Sequence, residues 1–566
     1  MSEQSHKQSD RTLFPLPPTI PDIHQWPLNI LSLEKESFLE EVIENTKAAV
    51  LKNIDSPIAM YNMLASVLYQ ERIRITQTPW KADPPDEKDF WNSVRSELLK
   101  AQKESRYDNP DYDYKKDPLL HKILDRYAHE IVGHFNPKVF NFAQKFLPFI
   151  FSRLLNSRPG HFIKSFWSKK AAFHEKFKIT GDIEILRKLS LEGTIVVVPT
   201  HFSNLDSPVI GWAVESCGLP AVIYGAGLNL LSVQPVTYLI NNLGAYKLDR
   251  RKKNEIYLEL LKVYSQIALQ RGTHSLFFPG GTRSRSGALE NKLKLGLLST
   301  AIEAQQHNVK SKGKKIFIVP VVLNYNFVLE APSLINQHLK QVGKEKFVVD
   351  NFEYSTTYKL LKFIYKFFTA NTDLTVSFGT PMDIIGNNVN ERGESINHLG
   401  EKVEIEDYFK TNGTLTNNAQ RNFEYTKILG EKIVQSYFKF NTVLTSHLVP
   451  FTAFQILKKK YPNLDLYGLL RLPMEDTQIE FGEFAIALEK VRTKILEMRN
   501  RGELKISEEI ELPLEALLKH GMSNLGLYHA KKVLFIDTNG NYNTEDMKLL
   551  FFYHNRLEGY KLEQYV

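Results

Sequence analysis

With a single cysteine, Cys217, among 566 residues, the chain cannot build an intramolecular disulfide framework, and it suits a reducing compartment. Cys217 sits in a helical pattern away from the polar motifs, which marks it as a core residue rather than a nucleophile. The start, Met1-Ser2-Glu3-Gln4-Ser5, lacks the apolar centre of a signal peptide. The longest uncharged stretch, Ser216 to Tyr246, is broken by Pro220, Pro235 and several glycines, which argues against a membrane-spanning helix. Zinc-finger spacing and an aromatic RNA-binding signature are both missing, so no nucleic acid partner is expected. Asp537-Thr538-Asn539-Gly540-Asn541 is the nearest thing to a calcium loop, but Tyr542 stands where glycine is needed and Lys548 where the bidentate glutamate belongs. No metal site and no cofactor is called for.

What is present begins with bulk. A hydrophobic fraction of 43% over this length buries more than one domain's worth of core. The net charge of +8 is a modest excess, compatible with anionic lipid, phosphate substrates or nucleic acid and unable to choose among them. Residues 1–30 are polar and then proline-rich and read as an extended arm; 31–157 carry mostly helical patterns. Residues 158–390 alternate strand-like and helical runs, and 391–566 form a surface excursion followed by a helical C-terminal region. The excursion is the Asn-, Gly- and charge-rich stretch between Ile385 and Asn422, and no repeat at solenoid spacing is evident.

Strand-like runs fall at 194–198, 221–224, 274–278, 316–323 and 374–378, separated by helical patterns. That alternation predicts an α/β domain with a largely parallel central sheet flanked by helices. One helix is predicted over Glu255 to Arg271, where Ile256, Leu260, Val263, Tyr264 and Ile267 recur at helical spacing and Gly272 suits the C-terminal cap. A second is predicted to start at Asp206 or Ser207 as N-cap, with Pro208 in first position.

Chemistry concentrates at two strand exits. Thr194-Ile195-Val196-Val197-Val198 runs into Pro199-Thr200-His201, and Asp206 follows five positions on. A histidine with a carboxylate near enough to orient it is the minimum equipment for general-base chemistry on an alcohol; a hydrogen-bonded pair fixing a loop is the plainer reading. The run ending at Phe278 continues as Pro279-Gly280-Gly281-Thr282-Arg283-Ser284-Arg285-Ser286-Gly287. Paired glycines admit an anion close to the backbone, and arginines supply forked donors matched to phosphate. This is not a nucleotide P-loop, because five residues separate Gly281 from Gly287 and no Gly-Lys-Ser/Thr follows. A third piece, Leu243 to Lys253, holds the cationic run from Arg250, which by itself is a solvated face. The fourth, Ile316 to Tyr325, is by itself core.

In this order the four pieces resemble the glycerol-3-phosphate acyltransferase family, the glycerolipid acyltransferases whose motifs are His-x4-Asp, Gly-x5-Arg, Phe-Pro-Glu-Gly-x-Arg-Ser and a Pro-containing apolar strand. Ala226 to Leu230 and Leu550 to Leu557 look like further segments of the glycerol-3-phosphate branch. The resemblance implies transfer of a fatty acyl group from a thioester, acyl-CoA or acyl carrier protein, to the hydroxyl of glycerol 3-phosphate. His201 and Asp206 are then the catalytic pair. Arg250, Arg283 and Arg285 are expected to bind the acceptor phosphate, with Gly281, Thr282 and Ser284 as auxiliary donors. Backbone N–H groups near Gly280 and Gly281, or from the 201–204 turn, are the candidates for holding the oxyanion. One departure stands out: Gly280 occupies the place of the motif's acid. The same residues would serve acylation of dihydroxyacetone phosphate or lysophosphatidate, or hydrolysis of the thioester, and loss of catalysis would leave a lipid-binding protein. A peripheral membrane partner on the cytoplasmic side is expected, because Phe135 to Leu155 and Tyr358 to Phe368 mix aromatics with lysines and arginine in the manner of a headgroup-lying segment; core helices with lysines reaching outward are the alternative reading.

Overall fold

The computed structural model describes residues 14–80, 83–144, 177–227, 234–341, 374–527 and 529–566. A seven-stranded sheet lies at its centre. Its strands are β1 (Phe177–Thr180), β2 (Gly193–Pro199), β3 (Ile223–Gly227), β4 (Ala245–Leu248), β5 (Ser275–Leu276), β6 (Lys315–Tyr325) and β7 (Leu374–Phe378), in the order β1-β7-β6-β2-β5-β3-β4. Every neighbouring pair is parallel except β6 and β7. The expected largely parallel sheet is therefore what the chain builds. β2 and β6 pair from Gly193↔Lys315 to Pro199↔Val321 and are buried almost throughout, which is why both read as unbroken apolar runs. The two strands that sequence patterning does not mark, β1 and β4, are the edges of the sheet and only four residues long.

The helix over Glu255–Gln270 forms as predicted, capped by the Asn254 side chain, which accepts from the Tyr257 N–H. It packs against Lys35–Leu51 and against Leu295–Ser311, so its buried residues link the core of the N-terminal helices to the flank of the sheet. Those N-terminal helices are Pro27–Leu33, Lys35–Leu51, Pro57–Gln77, Glu87–Lys103 and Pro118–Ile131. The stretch expected to be an extended arm thus ends in helix: Pro27 takes the first helical position, and buried Trp26, Leu28 and Leu31 pin it down.

A second correction concerns the helix after β2. It spans Asp206–Ser216, but its N-cap is Leu205 and Asp206 is its first residue, because the Asp206 carboxylate turns back to the preceding loop. After β7 the chain forms a small antiparallel sheet from Asn388–Val389, Ser395–Ile396 and Lys402–Val403, and then buries Ile405 and Phe409 against the core. The predicted surface excursion is therefore anchored. Long helices over Ala419–Phe440, Thr445–Lys460 and Phe481–Asn500 follow, and Met547–His554 comes near the end. Among the described residues no helix is long and apolar enough to cross a membrane. The expected headgroup-lying segments fall outside the described residues from 145 onward and over 358–368, as do residues 228–230.

Candidate active site

Strands β2 to β6 are mutually parallel, so their carboxyl ends meet at one edge of the sheet, where ligands of such folds bind. His201 follows β2, Asp249 and Arg250 follow β4, the Phe278 to Arg285 loop follows β5, and Glu330 follows β6. Topology alone brings the ends of all four sequence motifs to one place.

Asp206 is fully buried and takes four hydrogen bonds. Oδ2 accepts from the Phe202 N–H at 2.5 Å, the Ser203 N–H at 2.9 Å and His201 Nδ1 at 2.7 Å; Oδ1 accepts from the Tyr325 hydroxyl at 2.5 Å. Since a carboxylate only accepts, the proton of the neutral imidazole stands on Nδ1, and Nε2 keeps its lone pair. The ring is stacked on Phe278, 4.1 Å between centroids, and 14% of the His201 side chain reaches solvent. The pair is thus fixed in orientation and open on one side.

The turn that carries His201 has its amides committed to carboxylates. His201 N–H donates to Glu290 Oε1 at 2.8 Å and Asn204 N–H to Glu330 Oε1 at 2.9 Å, while those of Phe202 and Ser203 go to Asp206. Gly281 N–H donates to the Phe278 carbonyl. The 201–204 turn and Gly281 therefore have no amide to offer an oxyanion, contrary to the expectation from sequence. Among the described residues nothing accepts from the amides of Gly280 and Thr282.

The basic residues divide. Arg251 donates to Asp249 and Asp83, and Lys252, 4% exposed, to Glu130, so two members of the run read as a solvated face are held by carboxylates. Asp83 and Glu130 come from the N-terminal helical part. Arg250 and Arg285 have no acidic partner among the described residues. Although Arg250 is exposed, loss of water around its guanidinium lowers its pKa, and the charge of Arg283 lowers it further. Arg283 gives one arm to Glu330 at 3.3 Å. Ser284 uses its hydroxyl hydrogen on the Ala288 carbonyl and its N–H on the His201 carbonyl, which ties the two motif loops together.

Four residues at this edge are not among the expected site residues, although two of them lie in segments that carry the resemblance: Tyr325 closes the fourth piece and Arg556 falls within Leu550 to Leu557. Tyr325 ends a strand that reads as core, and Glu290 and Glu330 are single acids in loops. Arg556, in the C-terminal segment, stacks over Phe202 at 3.9 Å and donates to the Leu323 carbonyl and to Asn324 Oδ1 at 2.6 Å. Next to it Asn555 donates to the Ser286 carbonyl at 2.9 Å. Burial pulls the Arg556 guanidinium down to about 10, and the charges of Glu290 and Asp206 act to hold it up.

Residues 178–324 match the acyltransferase family. Over 163 residues the chain is 34% identical to the glycerol-3-phosphate acyltransferase of Haemophilus influenzae (strain PittEE), which is 28% of this chain and 19% of that protein. It is 34% identical over 165 residues to the enzyme of that name from Histophilus somni (strain 129Pt), 29% of this chain and 20% of the relative. With the one from Alteromonas mediterranea the identity is 31% over 168 residues, again 29% and 20%. The chain spans about a fifth of the length of the curated relatives it matches.

Proposed function

We propose that this chain, whose residues 178–324 are an acyltransferase domain similar to that of the glycerol-3-phosphate acyltransferases, moves a fatty acyl group from a thioester to the hydroxyl of glycerol 3-phosphate. One observation carries the reading. A histidine held by a fully buried, four-times hydrogen-bonded aspartate faces the same sheet edge as two arginines that have no acidic partner among the described residues. A base oriented in this way suits removal of a proton from an alcohol, and unpaired guanidinium groups suit a phosphate.

In the reaction the acceptor hydroxyl oxygen attacks the thioester carbonyl carbon while its proton passes to His201 Nε2. Asp206 stabilises the imidazolium that forms, as in serine hydrolases but with no enzyme nucleophile. The tetrahedral intermediate expels the thiolate, which takes the proton back from His201, so the C–S bond is exchanged for a C–O bond. Arg250 and Arg285 hold the phosphate, and Arg283, steadied by Glu330, adds its remaining N–H donors; Thr282 stands beside them. The amides of Gly280 and Thr282 are the donors for the oxyanion. Acyl-CoA and acyl carrier protein both fit the donor role, and a lipid product suits an enzyme working at a membrane surface on the cytoplasmic side.

The test is purified protein with a labelled acyl donor, offered glycerol 3-phosphate, dihydroxyacetone phosphate, lysophosphatidate or no acceptor. Transfer to glycerol 3-phosphate is expected, and His201→Ala should lower it by about 10²- to 10⁴-fold. Turnover of His201→Ala near that of the parent would reject the chemistry, and release of free fatty acid with no acceptor preference would make the protein a thioesterase.

A further inference from the structure

A Cβ built on Gly280 would lie 3.1 Å from Glu290 Cγ and 3.2 Å from Glu290 Oε1. The space beside position 280 is thus already filled, by a carboxylate that arrives from ten residues downstream. Glu290 Oε1 is also the acceptor of the His201 N–H at 2.8 Å. Its Oε2 is shielded from solvent and receives no hydrogen bond among the described residues. A carboxylate with one unsatisfied oxygen is costly to keep, and a merely structural acceptor for one amide would not need it.

We infer that Glu290 is the acid of this loop: a positioning residue that anchors His201 through its main chain and places one negative charge beside the His201–Asp206 pair, with Gly280 as the absence that makes room for it. Position 280 and position 290 are alternative sites for a single carboxylate. The missing acid of the glycine loop is then a relocation rather than a loss. Burial pushes the carboxyl up to about 7, against the His201 N–H and the charge of Arg556, which favour the ionised form.

The catalytic role rests on the acyl-transfer reading; the exchange of positions does not, and the experiment reads them separately. Gly280→Glu, Glu290→Ala, Glu290→Gln and the double variant Gly280→Glu/Glu290→Ala are compared in the full chain for thermal melting and for kcat and KM. Gly280→Glu alone should lower both the melting temperature and kcat, since two carboxylates would share the space of one. Glu290→Ala should lower kcat by about 10- to 100-fold with the acceptor KM changed by less than about threefold, the loss expected for a hydrogen bond to a charged group acting on the base. Glu290→Gln keeps the shape and the acceptor oxygen, so a similar loss in kcat assigns the effect to charge, and parental kcat would overturn the charge role. The double variant should recover at least about tenfold in kcat over either single change. A double variant no better than the worse single one would overturn the relocation. If the parent acylates no acceptor, the functional reading fails, and melting still decides the exchange: a double variant that melts above Gly280→Glu supports it, and one that melts no higher rejects it.

Discussion

The Asp206 carboxylate shows how much of the site depends on single atoms. Tyr325 supplies the only hydrogen bond to Oδ1 among the described residues, at 2.5 Å, and Asp206 is fully buried. Tyr325→Phe should lower kcat by about 10- to 100-fold, because a hydrogen bond to a charged group contributes roughly 1.5 to 3 kcal/mol and the aspartate would settle into a new position. Steady-state kinetics with unchanged circular dichroism would check it. Glu290 makes a prediction about stability instead. Its native carboxyl titrates at about 7 against an ordinary value of 4.5, so the native state binds the proton more tightly than the unfolded chain. Native stability therefore falls as pH rises from about 4.5 to about 7 and stays lowered above that. Glu290→Gln removes the ionised group and should be more stable than the parent at pH 8, on the order of 2 kcal/mol, with the difference vanishing near pH 4, as read by urea unfolding. His201, Asp206 and the arginines were legible in the sequence because their spacing is local. Tyr325 and Arg556 lay in segments that carried the resemblance but without a role, and Glu290 and Glu330 carried no mark at all, because their partners lie tens to hundreds of positions away and only the folded sheet edge joins them.

At the scale of elements, the sequence spoke clearly wherever burial was complete. β2, β6, β7 and the helix over Glu255–Gln270 are buried enough that their apolar patterns are almost continuous. Edge strands β1 and β4 bury only part of their length and carry lysines, so no run announces them. The repeated unit after β7 was missed for another reason. Asp383, Asn390 and Asn397 each accept, at one side-chain oxygen, the N–H groups two and four residues ahead, so polar turn residues spaced by seven direct the small sheet that composition alone presents as loop. The glycine loop has a tighter joint. Gly287 has φ +86, and a Cβ there would lie 2.2 Å from the Phe552 carbonyl oxygen on the helix over Met547–His554. Gly287→Ala should cost about 2 to 4 kcal/mol from the left-handed backbone and the overlap together, and should lower kcat as well, because the same loop carries Arg283 and Arg285. Thermal melting beside kinetics would show both losses; an unchanged melting temperature would contradict it.

Over the whole molecule, two hydrophobic cores meet along the helix over Glu255–Gln270, and charge is handled by pairing across that junction. Buried histidines set the acid limit. His274, His529 and His554 are each drawn down to about 4 by burial, from an ordinary 6.5. The unfolded chain protonates them first, so their contribution is whole above about 6.5 and is lost as pH falls towards 4. Each is worth on the order of 1 to 3 kcal/mol over that range, while carboxyls raised by burial, Glu290 among them, act in the opposite direction. The melting temperature should therefore drop steeply between pH 6.5 and pH 4.5, which calorimetry at several pH values would check.

The pairing of Arg251 with Asp83 and of Lys252 with Glu130 and Glu87 has a practical reach. The acyltransferase match begins at residue 178, whereas Asp83, Glu87 and Glu130 lie before it; within the match only Asp249 pairs with either cation among the described residues. A truncation starting at Phe177 would strip Lys252 of both partners and bare the apolar side of the helix over Glu255–Gln270. Such a fragment should aggregate on expression, and Asp83→Asn with Glu130→Gln in the full chain should reproduce part of its instability without any cut. The boundary of the family match and the line along which charge binds the chain into one piece do not coincide.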